Sequence, residues 1–192
     1  MKKTLFIFGF LAFIGCKTQD TKSTIITEKP VQNTFFTVAF GSCDDQKIKN
    51  ELWPAIDENH PSVWIWGGDN VYSDTEDMQV LKKNYEIQKQ DADYLKFIKN
   101  KIVLGTWDDH DFGANDGGEE YPFKRESQQL LLDFLGTPKS DPERKRDGVY
   151  TAKTIAVNGN KVKIIVLDSR FFRTKLTKAT DSKKRFEPNK YG

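Results

Sequence analysis

Cysteine and histidine are scarce in this chain: its 192 residues carry two of each. Cys16 and Cys43 are too few for a disulfide framework. His60 and His110 are too few for a centre built from imidazoles alone. Excess charge of one sign is also missing. The formal net charge is +2 and is spread along the chain, which removes any case for nucleic-acid binding by bulk electrostatics. There is no internal repeat. The apolar run at the start, Leu5 to Ile14, is interrupted by Gly9. At about ten residues it is too short to cross a hydrocarbon core of ~30 Å.

That run instead has the form of a secretory signal. Lys2 and Lys3 give a basic start, and Leu5 to Ile14 gives the apolar region. Phe13-Ile14-Gly15-Cys16 then resembles a bacterial lipobox, with Cys16 as the lipidated residue and mature N-terminus; Phe13 stands where Leu is usual. The alternative is an ordinary cleaved signal with an incidental Cys16. The lipobox reading predicts residues 1–15 as signal and an exported, membrane-anchored bacterial lipoprotein. Removing Met1 to Gly15 takes away Lys2 and Lys3, leaving 28 basic against 28 acidic residues. Residues 16–34 are polar, rich in Thr and Lys, and read as a flexible tether. If Cys16 carries lipid, Cys43 is a lone thiol in an oxidising compartment, and metal ligation would both protect and use it.

The remainder, residues 35–192, is long enough for one domain with a sizeable core. Phe35 to Phe40 fits a buried strand, ending at Gly41-Ser42-Cys43-Asp44. Asp45 to Asn59 has helical spacing at Ile48, Leu52, Trp53 and Ile56, with Pro54 disturbing its middle. Ser62 to Trp66 is a short strand before Gly67-Gly68-Asp69-Asn70-Val71-Tyr72. Apolar positions from Met78 to Ile98 predict a long amphipathic helix, or two broken near Asp91. Ile102 to Thr106 is the third strand. Pro122 to Leu135 reads as a helix stopped by Gly136. Val149 to Val157 and Lys161 to Leu167 form a hairpin through Asn158-Gly159-Asn160. The tail from Thr174 is basic and polar, without a strong pattern.

The chain is organised around Gly105 to Asp116, GTWDDHDFGAND. Asp108, Asp109, His110 and Asp111 follow Trp107 directly. Adjacent carboxylates repel one another in a folded site, and a cation removes that cost because it takes oxygen and imidazole ligands. The plainer reading is a solvated acidic loop. The metal reading is preferred because the run follows a strand, and α/β proteins place ligands at strand ends. Four apolar strands each end in a ligand-type residue: Cys43, Asp69, Asp108 with Asp109, and Asp168. In a mostly parallel sheet these would lie along one edge.

Asp69 follows two glycines, which permit a tight turn, and its two oxygens suit it to bridge two ions. Tyr72, three residues on, can return to the same site or simply pack in the core. A phenolate and a thiolate on one ion favour a strongly Lewis-acidic metal, ferric iron being the natural choice. Asp109 can serve a second ion. His110 can ligate or protonate a leaving group. Two such cations suit phosphoester hydrolysis. Arg125 can clamp a phosphate through its planar fork, or be an ordinary solvated helix residue.

Gly41-Ser42-Cys43, Gly68-Asp69-Asn70-Val71-Tyr72, Trp107-Asp108-Asp109-His110-Asp111 and Leu167-Asp168-Ser169-Arg170 together resemble, in order, the motifs of the PhoD-like alkaline phosphatases. These belong to the calcineurin-like, purple-acid-phosphatase-like metallophosphatases. The resemblance spans about residues 36–173. It implies an α/β fold, an α/β/β/α sandwich with mixed sheets, incomplete here on the C-terminal side. It implies an Fe(III)/Ca²⁺ centre, with other divalent metals as substitutes, and hydrolysis of phosphate mono- and diesters. Cys43 and Tyr72 would take iron-ligand positions and Asp69 the bridge. Asp109 and His110 would match the Asn and His of the superfamily's Gly-Asn-His motif, and Asp108 would be a further metal ligand. Two departures accompany it. Only a tether precedes Gly41, where the family often has a β-domain, and the family's later His motifs are absent. The resemblance therefore implies the N-terminal part of a longer protein. The alternatives are a non-catalytic exported lipoprotein that keeps the fold and one structural Ca²⁺, or a truncated fragment that is inactive by itself.

Overall fold

The computed structural model describes residues 35–188. The signal segment, the lipobox with Cys16 and the tether lie outside the described residues.

The fold is mixed α/β. Its centre is a three-stranded parallel sheet of β1 (Val38–Gly41), β2 (Val63–Gly67) and β3 (Ile102–Thr106), in that spatial order. Val38 pairs with Val63, and Val63 with Ile102. Parallel neighbours need crossovers. The first carries α1 (Trp53–Asp57), and the second carries α2 (Met78–Gln90) and α3 (Ala92–Ile98). All three strands therefore end on the same edge, at Gly41, Gly67 and Thr106.

The expected helix over Asp45 to Asn59 shrinks to α1. Proline lacks an N–H and is tolerated only in the first turn. The helix accordingly begins at Trp53, with Pro54 in that turn. The long helical stretch does break at Asp91, whose carboxylate accepts from the Tyr94 N–H at 2.7 Å and caps α3. The Pro122 to Leu135 expectation becomes α5 (Lys124–Phe134). Before it comes α4 (Asp109–Phe112), one turn of helix where the sequence suggested loop.

An aromatic cluster holds the helices to the sheet. Trp53 of α1 stacks on Phe97 of α3 at 5.1 Å and meets Trp64 and Trp66 of β2 edge-on at 5.4 and 5.7 Å. Trp66 Nε1 donates to the Tyr94 hydroxyl at 3.0 Å, so this buried indole is satisfied. Tyr85 of α2 stacks on Phe134 of α5 at 5.0 Å. The first strand is not buried as its sequence suggests: Phe40 remains 80% exposed and Val38 36%.

The hairpin forms from β4 (Thr151–Val157) and β5 (Asn160–Val166). Asn158 and Gly159 take φ of 48° and 80°, as a tight hairpin turn requires. It is a separate two-stranded sheet, so Asp168 does not end a fourth parallel strand. A short ladder of β6 (Thr177–Lys178) with β7 (Phe186–Glu187) orders the tail, where the sequence offered no signal.

Candidate metal centre

Parallel topology brings the strand-end residues together, and hydrogen bonds between the three turns lock them. The Cys43 N–H donates to the Gly68 carbonyl at 3.3 Å, and the Asp44 N–H donates to the Asp69 carbonyl at 3.0 Å. Cys43 and Asp69 both have left-handed backbones, φ 62° and 51°. Such angles are uncommon outside glycine and persist where the surroundings enforce them. Gly68, at φ 106°, allows the closest approach: a Cβ there would lie 2.6 Å from the Asp108 nitrogen.

Asp111 is the anchor of these turns. It is fully buried, and its carboxylate accepts from the backbone N–H groups of Asp69 (3.1 Å), Asn70 (3.2 Å) and Asp108 (2.9 Å). The Asn70 amide (2.7 Å) and the Tyr85 hydroxyl (3.2 Å) add two more donors. Burial pushes this carboxyl up to about 7, against the lowering by the Asp108 and Asn70 N–H groups and by Tyr85.

Around that anchor lie two donor groupings that share Asp69. On one side, Cys43 Sγ is 3.6 Å from Asp69 Oδ2. Tyr72 lies beside them, and burial, the neighbouring Cys43 thiol and the Asp69 charge raise its pKa above the ordinary phenol value. A phenolate there calls for a strongly Lewis-acidic cation. Tyr72 is held by Gln46, which accepts from its N–H at 2.8 Å and donates to its carbonyl at 3.1 Å. On the other side, ligand atoms of Asp69, Asp109 and His110 all lie within 4.8 Å of one another. Burial raises the Asp69 carboxyl, His110 lowers it and Asp108 raises it, the balance being upward.

His110 is oriented by Asp74, whose oxygens are 2.7 and 2.8 Å from Nδ1. Its ring also lies against Tyr72, with centroids 4.4 Å apart. Burial lowers the imidazole pKa, but Asp74, Asp69 and Asp109 outweigh it and hold it above the ordinary 6.5.

Five of the sequence-nominated residues thus converge: Cys43, Asp69, Tyr72, Asp109 and His110. Asp108 is turned to Arg170, with which it forms an ion pair. Arg125 pairs with Asp147 and lies over the Phe171 ring, 5.7 Å from its centroid. The guanidinium beside the cluster is that of Arg170, with Nη2 3.3 Å from Asp109 Oδ1. Asp168 serves structure: Oδ1 accepts from Trp107 Nε1 at 2.9 Å and Oδ2 from the Val149 N–H at 2.8 Å.

Sequence reasoning missed Asp74 and Gln46, whose roles depend on contacts across 36 and 26 residues. The anchoring role of Asp111 had a local signal. Asp108 and Asp111 stand three apart at the start of a helix, the spacing of reciprocal N-terminal capping.

Asp69, Asp109 and His110 offer a carboxylate–imidazole set that could hold a metal ion, with the Cys43 thiol beside Asp69. A cavity of about 590 Å³ under the hairpin, walled by residues such as Leu104, Leu132 and Thr154, includes none of these donors. Compared with protein-family models, with curated proteins and with solved structures, the chain matches none.

Proposed function

We propose that the chain carries the metal centre of a PhoD-like phosphoesterase that hydrolyses phosphate mono- and diesters. The observation that carries this reading is the sharing of Asp69 between a thiol–phenol pair and a carboxylate–imidazole pair at one sheet edge. Cys43 and Tyr72 would hold Fe(III), Asp109 would hold Ca²⁺, and Asp69 would serve both. When bound, such a pair supplies Lewis acidity toward a water nucleophile and the phosphoryl oxygens. In this chain Asp74 occupies His110 Nδ1. Nε2 is therefore the nitrogen left to give a proton to the leaving ester oxygen. The finer architecture proposed is the α/β/β/α sandwich, in which a second sheet would cover the face that leaves Phe40 80% exposed. The protein would be exported and anchored through lipid on Cys16. Detergent phase partitioning tests that part: wild type should enter the detergent phase and Cys16→Ser should not, and wild type in the aqueous phase would refute the anchor.

The centre itself is tested by colour. A phenolate on Fe(III) gives a visible charge-transfer band. Iron-loaded protein should be coloured, and Tyr72→Phe should remove most of the band while keeping the ring's packing. Equal bands at equal iron content would remove Tyr72 from the centre. Turnover of an aryl phosphate by the Fe/Ca-loaded chain tests the activity. A second reading, a non-catalytic protein with one structural Ca²⁺, draws on the scarcity of imidazole: His60 is exposed and outside the cluster. Bound Ca²⁺ with neither colour nor turnover would select it.

A further inference from the structure

Arg170 touches the candidate centre without being a ligand type. Its guanidinium forms an ion pair with Asp108 through Nε and Nη2, and Nη2 also lies 3.3 Å from Asp109 Oδ1. The other oxygen of Asp109 accepts the Asp116 N–H at 3.3 Å. Both oxygens of this carboxylate are therefore gripped by donors. The side chains of Arg170 and Asp109 are 14% and 16% exposed, so water screens the contact only partly.

Arg170 is itself fixed. Asp168 Oδ1 accepts the N–H groups of Arg170 at 2.9 Å and Phe171 at 3.0 Å, and the Trp107 indole N–H at 2.9 Å. Trp107 immediately precedes Asp108. The turn after β5 is thus pinned to the turn after β3 twice, once through the indole and once through the guanidinium.

We propose that Arg170 is a positioning residue for Asp109, and that Asp108 serves to neutralise Arg170 and does not bind metal. A bare guanidinium beside a cation would oppose it. Paired with Asp108 it adds no net charge and still sets the direction of the Asp109 carboxylate. Partners of this kind, hydrogen-bonded behind a ligand, typically carry 10–100-fold in metal affinity. The inference rests on the metal-centre reading above.

Electrostatics and positioning predict opposite signs, which makes the idea testable. If only charge mattered, Arg170→Gln would tighten Ca²⁺ binding by removing a positive charge. The double variant Asp108→Asn with Arg170→Gln, whose net charge equals wild type, would then bind as wild type does. If Arg170 positions Asp109, Arg170→Gln and the double variant should both bind Ca²⁺ roughly 10-fold more weakly. Arg170→Lys, which keeps the charge but not the fork, should recover only part of the loss. The experiment is calorimetric titration of Ca²⁺ into iron-loaded wild type and the three variants, with the visible band and the melting temperature recorded for each. The band should persist in all of them, since Cys43 and Tyr72 lie on the other side of Asp69. Affinity equal to or tighter than wild type in Arg170→Gln would overturn the proposal. So would loss of the band along with Ca²⁺, because that is collapse of the whole edge. Wild type that binds neither ion would overturn the metal-centre reading itself, whereas wild-type binding with indifferent variants overturns only the role of Arg170.

Discussion

Asp111 shows how one buried carboxylate can organise a site it does not enter. Its oxygens accept donors from Asp69, Asn70, Asp108 and Tyr85, gathered from the turn after β2, from α2 and from the turn after β3. When the carboxylate is ionised, above about pH 7, such hydrogen bonds to a charged group carry about 1.5–3 kcal/mol each. Asp111→Asn would keep one acceptor oxygen and turn an NH₂ group toward N–H donors. The expected outcome is a loss of roughly 3 kcal/mol in unfolding free energy and, on the proposed metal-centre reading, weaker metal retention. Denaturant titration with metal analysis checks it. An unchanged midpoint would mean that the turns are held by their backbone bonds alone.

Among the elements, α5 and the loop that follows it are tied together by one side chain. Arg144, on the 3₁₀ turn Pro142–Lys145, donates from Nη2 to the Thr137 carbonyl at 2.6 Å and from Nε to the Pro138 carbonyl at 2.9 Å, both in that loop. The same guanidinium reaches Asp133 at 2.8 Å and Gln129 Oε1 at 3.1 Å, and its side chain is only 7% exposed. Arg144→Met keeps the packing and removes the donors, at an expected cost of about 2 kcal/mol. The cost should depend on pH. Burial raises the Asp133 carboxyl, but Lys139 and Arg144 outweigh it and hold it below the usual 3.8. A carboxyl depressed in the folded state contributes stability above its unfolded pKa and loses it as pH falls through the folded one. The gap in melting temperature between wild type and Arg144→Met should therefore be full at pH 7 and narrow below about 4. A gap that did not change with pH would assign the effect to the carbonyl bonds only.

For the whole molecule, the aromatic cluster sets stability and the parallel topology sets where chemistry can occur. Trp53 lies on the shortest helix of the crossovers yet contacts Trp64, Trp66, Tyr94 and Phe97. Trp53→Ala should cost about 3–5 kcal/mol through lost burial and the cavity left behind. Trp53→Phe should recover a large part of that. Thermal unfolding of the two variants tests this, and equal small losses would show that α1 is dispensable to the core.

Local chemistry made much of this legible. The strands around Val63 and Ile102 were short apolar runs bounded by turn residues, and Asn158-Gly159 specified a hairpin through its positive φ. The ligand-type residues after each strand could be named because glycines and a Trp fixed where the strands ended. Pro54 also carried its information in the sequence, since a residue without an N–H can only open a helix, but the spacing of Ile48 and Leu52 hid it. Other features needed the fold. Whether Asp108 faced a cation or Arg170 was undecided locally, because adjacent aspartates have the same chemistry and differ only in which neighbour, 62 residues away, reaches them. The same holds for Arg125, which could equally have met a phosphate or Asp147. Asp74 and Gln46 acquired roles only when parallel pairing brought the ends of β1, β2 and β3 to one edge. Residue type determined which groups could bind, and long-range pairing decided which of them met, because a side chain's partners are set by backbone contacts far away in sequence.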